Sequence, residues 1–104
     1  MRKKRNDRNH IIYEIINIEN GKCYIGVTAA IGRAFNYSAF RRFQKHQSRA
    51  RRENKDWALY KDMRKYDTDA YEVIVKHVVR GKAEAHKLET YYLQNYVYKL
   101  NSTH

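Results

Sequence analysis

Residues 11–18 and 23–28 are rich in β-branched and aromatic side chains, and they flank Glu19-Asn20-Gly21-Lys22. Asn-Gly between apolar runs is the strongest short-range hairpin signal, so two antiparallel strands are expected. Residues 27–37, VTAAIGRAFNY, carry no clean period and read as a loop with short ordered pieces. A helix is expected from Ser38, with its hydroxyl as N-cap. Ala39, Phe40, Phe43 and Ala50 then fall on one side at helical spacing. Leu59, Tyr60, Met63 and Tyr66 form the apolar stripe of a second helix over residues 56–66. Residues 71–78, YEVIVKHV, read as a third strand, and residues 82–96 as a third helix after Gly81. The order is ββααβα, an α+β domain with a small antiparallel sheet and helices packed on it.

The hairpin raises a question about Tyr13 and Tyr24. In a two-residue turn at Asn20-Gly21, Asn17 faces Tyr24, Ile15 faces Gly26 and Tyr13 faces Thr28. Side chains alternate along a strand, so the two tyrosines share the more polar face. Ile12, Ile16, Ile18, Cys23, Ile25 and Val27 share the other, which reads as the core, with Glu14 its one misfit. Gly26 would leave a hollow between the tyrosines. A three-residue loop with a glycine bulge would slip the register by one and separate them.

Two helices carry further anomalies. Ala85, Leu88, Tyr92, Leu93 and Tyr96 form an apolar arc on the last helix, and Glu89 falls inside it. An inward carboxylate is costly unless paired, protonated or bound to metal. On the first helix, Arg42 and His46 stand four apart, hence side by side. A guanidinium forks onto phosphate, and a histidine exchanges protons near neutral pH.

Charge narrows the class of partner. The 104 residues hold 22 Lys+Arg against 11 Asp+Glu, a formal net charge of +11. Such self-repulsion points to a polyanion, and nucleic acid is the expected one. No run is apolar enough to span a membrane. Residues 1–10, MRKKRNDRNH, lack an apolar region behind them and read as a flexible basic arm before a single domain of residues 11–104. The one cysteine, Cys23, makes no internal disulfide, excludes a cysteine-based zinc site and suits a reducing, cytoplasmic compartment.

Taken together, these residues resemble the GIY-YIG nuclease family. The first motif reads Ile11-Ile12-Tyr13, without the family's glycine, and the second reads Tyr24-Ile25-Gly26 unchanged. Arg42 and His46 match the family's arginine followed four positions later by histidine or tyrosine. RKYD at 64–67 matches the end of its next helix, Glu89 in LETYYL its glutamate, and Asn101 in LNST its late asparagine. The gap from Gly26 to Arg42 is longer than usual, so Arg33 is a rival for the arginine role.

The resemblance implies a three-stranded sheet flanked by helices and hydrolysis of DNA phosphodiester bonds with one divalent ion, Mg²⁺ or Mn²⁺. Tyr13 would be the general base, assisted by His46. Tyr24 and Arg42 would contact phosphate or attacking water, Glu89 would hold the metal, and Asn101 would tie down the site. Gly26, Arg33, Arg41, Lys45 and Arg49 are the expected DNA contacts. Many relatives are mobile-element, phage, restriction or repair enzymes, and a phage or mobile-element source is the one expected for a module that stands alone. The oligomeric state, monomer or homodimer, stays open. Three rivals remain: a nucleic-acid-binding protein without catalysis, an RNA-directed nuclease on the same fold, and a subunit of a larger assembly that supplies only a basic interaction surface.

Overall fold

In a computed structural model that describes residues 8–101, the three strands form one antiparallel sheet in the order β2-β1-β3. The elements are β1 (Asn9–Asn17), β2 (Cys23–Ala29), α1 (Phe35–Arg52), α2 (Ala58–Lys65), β3 (Tyr71–Arg80) and α3 (Lys82–Asn95), with a 3₁₀ turn at Thr68–Ala70. The fold is the expected ββααβα, α+β arrangement. No helix among the described residues is long and apolar enough to cross a membrane.

β1 is the centre of the molecule. Ile11, Ile12, Tyr13 and Ile15 are all buried, because helices cover both faces of the sheet. Ile11, Tyr13 and Ile15 pack with Ala39, Phe43 and Ala50 of α1 and with Leu59, Tyr60 and Met63 of α2. Ile12 and Ile25 pack with Ala85 of α3, backed by Val27, Val79, Leu88, Tyr92 and Tyr98. The expected one-sided core is therefore corrected. The tyrosine face holds the larger cluster, and Ile18, expected inside, is 59% exposed.

The hairpin register also differs from the expected one. Tyr13 pairs with Gly26, Ile15 with Tyr24 and Ile16 with Cys23. The loop is closed by Gly21 N–H to Asn17 O at 2.8 Å and Asn17 N–H to Lys22 O at 2.9 Å. Asn17 is the reason. Its side-chain oxygen accepts the Glu19 and Asn20 amides, so an Asx turn replaces the two-residue turn. The slip is by two positions, an even number, so Tyr13 and Tyr24 still share a face.

α1 begins at Phe35, ahead of the expected start at Ser38. Ser38 is not the N-cap but lies buried in the first turns, where its hydroxyl donates to Ala34 O and accepts Ile31 N–H. Phe40, expected on the packed side, is exposed. The other end is held by Arg64 of α2, which donates to the carbonyls of Ala50 and Glu53 at 2.8 Å and of Lys55 at 2.7 Å. A guanidinium satisfies the orphan carbonyls of a helix C-terminus and favours its dipole. This clamp fixes the α1–α2 corner over the sheet.

The expected arm boundary moves. β1 starts at Asn9, and the Arg8 carbonyl accepts the Gly81 amide, so residues 8–10 belong to the domain. Residues 1–7 lie outside the described residues. The α3 arc is corrected too: of its members only Ala85 is fully buried, Leu93 and Tyr96 are exposed, and the Glu89 side chain is 23% exposed. The helix lies on the sheet through Ala85, Leu88 and Tyr92, while Leu93 and Tyr96 face outward.

Candidate active site

The site begins with a glycine in β2 facing a tyrosine in β1. A Cβ built on Gly26 would stand 2.6 Å from the Tyr13 hydroxyl oxygen, 2.7 Å from Cζ and 2.9 Å from a Tyr24 ring carbon. No larger residue fits, since the first two of these atoms belong to a buried, closely packed ring. The hollow expected at Gly26 is thus filled by the Tyr13 phenol, which crosses the neighbouring strand toward α1. A bulge on β3, which inserts Lys76 between the partners of Ile12 and Tyr13, lies beside it. Such bulges re-aim side chains at sheet positions like this one.

The Tyr13 hydroxyl meets Nε2 of His46 at 2.9 Å, in the interior. Tyr24 packs beside both, its ring centroid 6.1 Å from Tyr13 and 5.3 Å from His46. His46 is buried on α1, one turn after Arg42, as the helical spacing required. The aromatic wall continues through Tyr60, 6.0 Å from His46, to Trp57, 5.0 Å from Tyr60.

Electrostatics sets the protonation of this group. Burial, helped by the positive charges of Arg42 and Arg49, pushes the His46 imidazole down to about 4. The ring is therefore neutral at pH 7. A neutral imidazole with its proton on Nδ1 accepts the Tyr13 hydroxyl hydrogen at Nε2. Burial and the neighbouring Tyr24 push the Tyr13 phenol far above its ordinary value, against the pull of Arg42. Burial also raises the Tyr24 phenol, with the negative charge of Glu89 adding to it. Both tyrosines therefore hold their protons at neutral pH.

A cleft of about 290 Å³ opens on this wall, lined by Tyr24, Arg42, His46, Arg49, Tyr60 and Asn101, among others. Nε of Arg42 and the hydroxyl of Tyr60 are both buried without a hydrogen-bond partner among the described residues. A second groove of about 490 Å³ follows α1, lined by Arg41, Lys45, Ser48 and Arg52 with Thr28 and Ile31. Arg42 lines both.

Of the residues singled out from sequence, Tyr13, Tyr24, Arg42, His46 and Asn101 are brought together. Arg42 lines the cleft, whereas Arg33 sits exposed in the turn before α1. Asn101 pairs with Ile25 as a strand residue would, accepting its amide and donating to its carbonyl, each at 2.9 Å. With Leu100 N–H donating to Cys23 O, the C-terminal segment covers the free edge of β2 behind Tyr24. Arg41 and Lys45 face the groove, while Arg49 is held by Glu53 at 2.8 Å at the rim of the cleft.

Glu89 stands apart. It lies on α3, across the sheet from α1, and does not line the cleft, but its charge reaches Tyr24 at the β2 edge. Its carboxylate meets His86 Nδ1, one turn earlier on the same helix, at a long 3.4 Å. Among the described residues no group of three or more His, Cys, Asp or Glu is arranged to hold a metal ion. A carboxylate held this loosely fits a hard ion that keeps most of its ligands as water and phosphate oxygen.

Two residues of this wall were not singled out from sequence. Tyr60 reads there as a helix-packing aromatic and Trp57 as part of the same helix, although a buried tyrosine hydroxyl calls for a partner. Compared with known proteins, the chain matches no protein-family model, no curated sequence and no solved structure.

Proposed function

We propose that this protein is a metal-dependent endonuclease that hydrolyses DNA phosphodiester bonds in the cleft lined by Tyr24, Arg42 and His46, with Tyr13 directly behind His46. The observation that carries this reading is the buried 2.9 Å hydrogen bond between the Tyr13 hydroxyl and a neutral His46. A solvent-shielded phenol joined to an unprotonated imidazole is a proton relay, and general-base catalysis needs one.

In the proposed reaction a strand lies along the α1 groove and presents one phosphate to Arg42. The guanidinium donates through its free Nε and neutralises charge that builds on the non-bridging oxygens. Phosphate binding also cancels the positive charge that helps hold His46 down, so the imidazole becomes a better base as substrate arrives. A water attacks phosphorus and gives its proton to the Tyr13 oxygen, while the Tyr13 proton passes to Nε2. The phosphorus–O3′ bond breaks, and the leaving oxygen takes a proton from solvent. Tyr24 orients the phosphate or the water. Mg²⁺ or Mn²⁺ held by Glu89 would supply charge relief at the phosphate and at the leaving oxygen. The products carry 5′-phosphate and 3′-hydroxyl ends.

Incubation with supercoiled plasmid in Mg²⁺ and in EDTA tests the reading. Nicking in Mg²⁺ alone, lost in Tyr13→Phe, supports it. Tight plasmid binding without nicking in either Mg²⁺ or Mn²⁺ would overturn it in favour of a non-catalytic nucleic-acid-binding protein.

A further inference from the structure

The relay and the phosphate contact leave half of the cleft unused. Its polar end holds Arg42 and His46, and its other end is Trp57, Leu59, Tyr60 and Leu100. Tyr60 is 1% exposed, and its hydroxyl has no partner among the described residues. A buried hydroxyl left unpaired is costly, so a group that satisfies it gains a strong anchor. Tyr60 lines the cleft together with Tyr24 and Arg49, which places it on the site side of α2. Trp57 extends the wall, one face of its ring covered by the Lys55 ammonium at 4.4 Å.

We infer that this end of the cleft is a nucleotide subsite, which takes the base next to the scissile phosphate out of its stack. At about 290 Å³ the cleft is at the small end of ligand sites, too narrow for a duplex and suited to one nucleotide. An apolar aromatic wall with a single hydrogen-bonding hydroxyl is the chemistry that receives a base by its face and one polar edge. The adjoining Arg42 Nε suits the phosphate of the same nucleotide. Extruding a paired base is costly, and an unpaired one far less so. The preferred substrate is therefore DNA that is single-stranded, mismatched or branched where it is cut. This inference rests on the nuclease reading for its phosphate end, but the subsite can be tested without cleavage.

Trp57 is the only tryptophan of the chain, so its emission reports the subsite directly. The metal-free protein is titrated in EDTA with pentathymidylate and with an abasic pentamer of the same backbone charge. The expected result is quenching of Trp57 by pentathymidylate and at least about tenfold tighter binding than the abasic strand. Tyr60→Phe keeps the ring and loses the hydroxyl. It should shrink that margin about five- to tenfold, one hydrogen bond's worth, without changing abasic affinity. Equal affinity of the two strands for the unmodified protein, or unchanged Trp57 emission, overturns the subsite even if plasmid is nicked. Base discrimination without any metal-dependent nicking keeps the subsite and sinks the nuclease reading instead.

Discussion

Tyr13 and Asn17 stand on β1 and project to the same face of the sheet, each into a buried polar cluster. Around Asn17 the polar groups are satisfied. Asp62 of α2 accepts Asn17 Nδ2, Asn20 Nδ2 and the Tyr71 hydroxyl, each at 2.8 Å, while the Asn17 oxygen holds the hairpin turn. This carboxylate ties the hairpin, α2 and β3 together. Around Tyr13 hydrogen-bonding capacity stays open. Arg42 Nε and Tyr60 Oη have no partner among the described residues, and a cleft opens on the group. A saturated polar cluster specifies a fold, whereas one with open valences waits for a ligand. The contrast sets a saturated cluster beside an open one on a single strand face.

The largest expected effects are on cleavage. Tyr13→Phe should lower the nicking rate about 10²–10⁴-fold, the range of a general-base contribution, with little change in melting. Glu89→Ala should abolish metal-dependent nicking, keep its melting temperature and still shift DNA on a gel. A partly exposed carboxylate with one long contact contributes within about 0.5 kcal/mol to folding. A Glu89→Ala protein that melts early, or still nicks in Mg²⁺, would show that the carboxylate belongs with the structural cluster.

Asp62→Ala should act in the opposite way. Stranding the Asn17 amide and the Tyr71 hydroxyl costs about 2–4 kcal/mol, which in a domain of this size is a fall of roughly 10 °C or more in Tm. Nicking measured well below the new midpoint should persist. A melt unmoved by this change would erase the distinction between the clusters.

Acid should sharpen it further. His46 titrates at about 4 in the folded chain against an ordinary value of 6.5. Between those values the unfolded chain binds the proton and the folded one does not, so stability falls as pH drops from about 6.5 through 4. The loss should reach on the order of 3 kcal/mol, measured by denaturant midpoints across that window, and His46→Gln should flatten it. An unaltered slope in His46→Gln would place the acid sensitivity elsewhere.

The smallest effect concerns the basic N-terminal residues. Deletion should stop at residue 7, since Asn9 and His10 are strand residues. Every phosphate that the shortened chain no longer neutralises should lower the slope of log affinity against log salt by about 0.9. An identical slope in the shortened chain would mean these residues do not touch DNA.

The pairing of Arg42 with His46 was legible because residues one helical turn apart are always neighbours. The common face of the tyrosines survived a register shift because strand alternation repeats every second residue. Less local features were not legible. Asn17 reads as one more polar strand residue until its side chain is seen to hold the turn. Glu89 looks buried on a helical wheel, which cannot show that α3 packs on the sheet through Ala85, Leu88 and Tyr92 while the Glu89 side chain stays partly exposed. Tyr60 reads as packing because a stripe of apolar spacing does not reveal whether a hydroxyl at its middle finds a partner.

By itself the sequence determined the elements, their order, the α+β class, the basic charge and which residues share a helix face or a strand face. These follow from periodicity and composition, which are properties of neighbours along the chain. The tertiary structure alone decided that both sheet faces are covered and that Gly26 makes room for the Tyr13 ring. It also set the Tyr13 hydroxyl 2.9 Å from His46 and left Arg42 Nε and Tyr60 Oη open. Those depend on distances between segments far apart in sequence, where burial shifts a pKa and an unmet hydrogen bond acquires its cost.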